Sequence, residues 1–131
     1  MSYVGTMIHV LLVAIGGAIG SVGRYFVNLW AARLFGPAFP WGTFAVNIVG
    51  GFAIGLVAEL VIRKFSGSTE MRLLLITGVL GGFTTFSAFS LDAIVLFERG
   101  EITLSAVYIV SSVVISILAV CGGLALGRAL F

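Results

Sequence analysis

The sequence predicts an all-α integral membrane protein with four transmembrane helices, the third of them broken. Three observations carry that reading. Hydrophobic residues make up 60% of the chain and charged residues only 9%, with a mean hydropathy of +1.24, well outside the range of a soluble domain. The 131 residues divide into four apolar runs, each near the roughly 20 residues that a helical span requires. Within the third run lies Gly81-Gly82-Phe83-Thr84-Thr85-Phe86-Ser87-Ala88-Phe89-Ser90. Paired glycines raise the backbone entropy a helix must overcome, and the threonine and serine hydroxyls compete for its hydrogen bonds, so the helix is expected to break there. Backbone groups freed by a break in hydrocarbon must be satisfied by protein, water or an ion. A broken helix near the bilayer midplane therefore points to an ion or solute site. Close helix contact through small residues accounts for the glycines. It accounts less well for Thr84-Thr85 followed by two phenylalanines three residues apart.

The first span is expected over about residues 7–30, with Tyr25, Phe26 and Trp30 near an interface. Gly16, Gly17, Gly20 and Gly23 fall on related faces, and Gly16 and Gly20 form a G-x-x-x-G spacing suited to close packing. A nucleotide-binding glycine loop is not indicated, because no strand precedes it and no acidic residue follows at the expected distance. Arg24 is an ionised group in apolar surroundings. It either snorkels to the interface or faces an anion or a water-filled vestibule. Pro37 and Pro40 then block helix continuation within an aromatic turn.

The second span is expected over about 41–62. Thr43, Asn47 and Gly50 or Gly51 share one face, which makes that face polar. Asn47 either bonds two helices together or offers its NH₂ group to an anion. A polar loop around Arg63 to Arg72 leads into the third span, about 71–96, with Asp92 beyond the break near a pore mouth or an interface. The fourth span, about 102–126, carries Tyr108, Ser112 and Ser116 at successive i+4 spacing. These hydroxyls either form a polar ladder or bond back to their own helix.

The chain from 1 to 131 thus reads as one transmembrane domain, with no length left for a soluble catalytic one. No nucleophile, base and orienting group occur together, so an enzyme is not expected. The seven basic residues, Arg24 apart, mark helix ends instead of forming a nucleic-acid surface. Cys121 and His9 are each single, which excludes an intrachain disulfide and a cysteine metal site. Four spans place the N-terminus, Arg63, Lys64, Arg72 and Arg128 on one side and Arg33 and Arg99, with Arg24 nearby, on the other. So small a bias permits insertion both ways up and pairing of opposite copies about an axis in the membrane plane.

The run from Gly78 to Ser90, Trp41-Gly42-Thr43 and Val46-Asn47 ahead of Gly50-Gly51, and Gly16-Gly17-Ala18-Ile19-Gly20 with Arg24 closely resemble the Fluc (CrcB) fluoride channel family. The resemblance covers all four spans. It implies a dual-topology antiparallel homodimer in the bacterial inner membrane, with two pores and a central sodium ion held by main-chain carbonyls at the helix breaks. By position, those carbonyls are Gly81 and Thr84. The resemblance makes Phe86 and Phe89 the pore rings, Asn47 the pore amide, and Tyr108, Ser112 and Ser116 the polar track. Thr43 and Ser87 complete the candidate pore-lining set, with Arg24 and Asp92 as vestibule residues. Ala88 stands where many relatives have threonine, and Asp92 where the family has an acidic residue. The partners implied are fluoride, a second copy and the lipid bilayer.

That chemistry suits the residues. Fluoride is small and strongly hydrated, so a pore must replace its water with hydrogen-bond donors. Aromatic edges carry the positive end of the ring quadrupole and attract an anion without trapping it. A small drug/proton antiporter shares the size and span number, but it requires a membrane-embedded carboxylate in the first span, where this chain carries Arg24. A scaffold subunit would leave the midspan polar residues without a use.

Overall fold

The computed structural model describes residues 2–131, and four of its helical segments are long and apolar enough to cross a membrane. Helix α1 spans Tyr3–Phe35 and starts at Ser2, whose hydroxyl accepts from the Gly5 amide. Gly36 ends it at φ 73°, a left-handed conformation that favours glycine, and Pro37 and Pro40 follow. Helix α2 spans Trp41–Lys64. Ser66 and Gly67, both at positive φ, turn the chain, and Ser68 caps the next helix through the Met71 amide.

The third crossing is two helices. The first, α3, covers residues 69–83: one α-helical turn (Thr69–Arg72), a wide π-helical stretch (Leu73–Leu80) and a final turn (Gly81–Phe83). Thr84 and Thr85 are extended, and α4 resumes over Phe86–Glu98. Helix α5 spans Ile102–Leu130. Each crossing is longer than its expected span; α1 runs beyond its apolar window to Ser2 and Gly36, and the third crossing starts at the Ser68 cap, signals that hydropathy does not detect. The break is also narrower than the motif. Gly81 and Gly82 stay helical, and the two β-branched threonines carry the extended backbone.

Glycine determines how the crossings pack. Added at Gly20, a Cβ would overlap the Val79 carbonyl and lie 2.8 Å from the Phe83 nitrogen. Gly16 lies equally close to Gly78, and Gly82 to Gly17, so α1 and α3 meet main chain to main chain. Helices α2 and α5 meet in the same way, Gly55 on Val120 and Gly123 on Phe52. Few large side chains are enclosed, and Tyr108 and Val46 are the largest fully buried ones. Large apolar residues instead cover the outside, among them Leu11, Ile15, Ile19, Ile117 and Leu118, each more than half exposed. In water such a surface would be an aggregation liability. In a bilayer it is the solvent-facing surface.

Candidate functional site

The site is built on the break. Asn47 projects from the middle of α2, and its carboxamide pairs with the main chain of Thr85 in both directions. Nδ2 donates to the Thr85 carbonyl at 3.0 Å, and the Thr85 amide donates to Oδ1 at 2.8 Å. The side chain thereby replaces the helical partners that Thr85 lacks. Gly50, one turn further along α2, leaves the space that the Thr84 methyl occupies. The Thr85 hydroxyl accepts from the Ala88 amide at 3.1 Å and so caps α4. Thr84 turns both its amide and its hydroxyl onto the Leu80 carbonyl, at 3.0 and 2.8 Å.

Some carbonyls of α3 remain without helical donors. The Gly82 carbonyl accepts from Arg24 Nε at 3.1 Å, so this arginine reaches the break from α1 and neutralises a helix C-terminus. The Gly81 carbonyl loses its usual donor because the Thr85 amide serves Asn47. The amide that would serve Thr84, that of Ala88, goes to the Thr85 hydroxyl. Among the described residues no hydrogen bond reaches either carbonyl.

A groove of about 300 Å³ runs beside the break, lined by Asn47, Thr84, Thr85, Phe86, Phe89, Ser112 and Ser116, with Val113 and Ile117. The Phe86 and Phe89 rings lie 5.7 Å apart, Phe86 78% exposed and Phe89 only 8%. Ser112 and Ser116 present buried hydroxyls with no hydrogen-bond partner among the described residues. Neighbouring Ser111 behaves differently and bonds back to the Val107 carbonyl at 2.5 Å. The ladder hydroxyls are thus not used by their own helix.

The remaining candidates lie around this groove. Tyr108 packs on Phe89 at 5.2 Å and donates its hydroxyl to Asp92 at 3.2 Å, beyond the groove's end. Asp92 and Thr43 line a separate cavity of about 240 Å³ near the Pro37 turn, together with Asn28 and Arg99. Ser87 is exposed on α4, 3.4 Å from the Thr85 hydroxyl. Arg24 lines neither cavity, so the two vestibule candidates do not meet. Thr85, the pivot of the break, was visible in the sequence only as half of a threonine pair. Its partner is 38 residues away, and no local pattern links them.

A family model described as CrcB-like protein, Camphor Resistance (CrcB), matches residues 11–124. A protein of Rhizobium etli named Fluoride-specific ion channel FluC is 70% identical over 124 residues, covering 95% of this chain and 99% of that one. A protein of the same name from Agrobacterium fabrum is 68% identical over 125 residues, covering 95% and 100%. One from Rhizobium meliloti is 60% identical over 124 residues, covering 95% and 99%. With four apolar crossings, a broken third one and likeness along nearly its whole length, this multi-pass bacterial membrane protein belongs to the CrcB family.

Proposed function

We propose that the protein is a fluoride-selective channel that exports fluoride passively from the cytoplasm through the groove beside the break. The observation that carries this reading is the pair of buried, unpartnered hydroxyls on Ser112 and Ser116, opposite the Phe86 and Phe89 rings. A buried hydroxyl without a partner is costly. An anion passing through the groove would accept from both. Asn47 uses one amide hydrogen on Thr85 and keeps a second for the ion. Phenylalanine edges add a weak attraction that lets the ion leave.

The direction follows from acid–base chemistry. Hydrogen fluoride is a weak acid that crosses membranes and dissociates at cytoplasmic pH. The negative-inside potential then drives the anion outward through a selective leak, and no coupled ion is needed. The antiporter alternative is disfavoured because the groove contains no carboxylate to exchange protons.

Two antiparallel copies complete the assembly in this reading. Phe86 is largely uncovered, and Gly81, before the break, is exposed as well. A second copy would close the groove on that side. The Gly81 and Thr84 carbonyls suit a hard monovalent cation, being neutral oxygens with no carboxylate in the motif. They would hold a structural sodium ion, which supplies a fixed positive charge near the anion path. The test is ion-selective electrode measurement on purified protein in liposomes loaded with fluoride or chloride. Fluoride efflux without chloride efflux is expected, and equal passage of both would overturn the reading.

A further inference from the structure

Away from the ion path, the ends of α2 and α5 carry a constellation that conduction does not use. Glu59 is 7% exposed, and each of its carboxylate oxygens accepts from a different arginine. Arg63 Nε donates to one and Arg128 Nε to the other, both at 2.9 Å. Gly127 makes this possible, since a Cβ there would lie 2.7 Å from the Glu59 Cβ. One carboxylate against two guanidiniums leaves the triad one positive charge in excess. Lys64 adds another beside it.

Both guanidiniums bond Glu59 through Nε, and among the described residues neither terminal amino group has a hydrogen-bond partner. The Arg63 and Arg128 side chains remain 42% and 59% exposed. Both arginines lie in the last turn of their helices, where the carbonyl end of the helix dipole favours a cation. Ile62 and Phe65 beside Arg63 in the chain, and Leu126 and Leu130 on either side of Arg128, expose apolar surface at the same helix ends. A cation pair fixed by a buried anion, placed where two spans end and flanked by apolar side chains, complements a ligand with a phosphate head and acyl tails.

We propose that Arg63 and Arg128, positioned by Glu59, form a binding site for the phosphodiester headgroup of an anionic phospholipid. Guanidinium groups suit phosphate oxygens because they present paired donors in one plane. Basic pockets between transmembrane helices hold such headgroups for the same reason. The proposal requires only membrane residence and is independent of which ion the groove conducts.

The test is native mass spectrometry of the purified full-length chain released from micelles containing equal amounts of phosphatidylglycerol and phosphatidylcholine. Wild-type protein should retain phosphatidylglycerol over phosphatidylcholine by about five-fold, the factor that one net basic charge near an anionic headgroup supplies. R128Q leaves the Arg63–Glu59 pair intact and should lose that preference. K64Q removes the same charge without touching the triad and should keep it. E59Q raises the positive charge but leaves one neutral acceptor oxygen for two arginines, so the pair is no longer fixed and its preference should fall, whereas simple charge attraction demands a rise. Excess inorganic phosphate at matched ionic strength should leave the lipid bound. Equal retention of the two lipids by wild type, equal losses in K64Q and R128Q, a gain in E59Q, or displacement by free phosphate would each overturn the assignment.

Discussion

Asn47 and Thr85 are joined by two hydrogen bonds, one in each direction, so that a side-chain amide closes the gap in a main-chain ladder. Each bond satisfies a polar group that would otherwise be costly to leave in hydrocarbon. The arrangement makes one residue serve two roles. Asn47 holds the break in shape, and in the proposed mechanism its remaining N–H meets the ion.

The two roles separate by substitution. Asn47→Ala deletes both partners of Thr85 and should lower stability by about 2–4 kcal/mol, from two half-buried groups at about 1–2 kcal/mol each. Asn47→Asp keeps an acceptor for the Thr85 amide but places negative charge beside the groove. It should elute as wild type on size exclusion while fluoride efflux from liposomes stops. Wild-type efflux in Asn47→Asp would remove this residue from the path.

The glycines of α1 give a sharper structural contrast. Gly17 has open space where a Cβ would go, whereas Gly20 has main chain. Gly17→Ala should be neutral or stabilising by up to about 1 kcal/mol through helix propensity. Gly20→Ala must push α1 from α3 and should destabilise by about 1–3 kcal/mol or more. Thermal unfolding in detergent reads both, and similar midpoints would contradict the packing described.

Much of this arrangement was legible in the sequence, and the remainder has identifiable physical causes. Hydropathy located four crossings, and the Gly81 to Ser90 motif located the interruption. Composition could not assign that interruption to Thr84 and Thr85 in particular, because glycine in a helix serves equally for flexibility and for close approach, and Gly82 serves approach to Gly17. The π-helical turns of Leu73–Leu80 have no signature in an apolar run. Arg24 was ambiguous between lipid interface and ion path, and its bond to the Gly82 carbonyl is a tertiary contact. The Glu59–Arg128 pair spans 69 residues and is equally invisible to local pattern.

The proposed sodium site predicts a cation dependence. Exhaustive replacement of sodium by a large organic cation should shift the protein toward monomer and reduce fluoride efflux, because the Gly81 and Thr84 carbonyls would lose their partner. Analytical ultracentrifugation in matched detergent measures the first effect. Unchanged mass and unchanged efflux would refute the assignment.

The proposed dual topology predicts accessibility from both faces. A cysteine at Ser66, in the turn between α2 and α3, on a Cys121→Ser background, should react with an impermeant maleimide from both sides of the membrane. Labelling from a single side would establish one orientation and exclude the antiparallel pair.

The last prediction sets stability against function at Ser112. Its hydroxyl is buried and unpartnered, whereas that of Ser111 bonds back to Val107. Removing a buried hydroxyl that lacks a partner relieves its desolvation, so Ser112→Ala should unfold at the same temperature as wild type or higher, by up to about 1–2 kcal/mol. A polar group retained against stability is expected where it contacts something that passes through. Fluoride efflux should therefore fall at least about ten-fold, equivalent to roughly 1.4 kcal/mol on the rate-limiting barrier. Ser111→Ala changes the same atoms one residue away and should leave efflux near wild type. Thermal melts and electrode traces on both variants decide the matter. If Ser112→Ala is destabilised and still conducts normally, the hydroxyl has a structural partner and the groove is not the fluoride path.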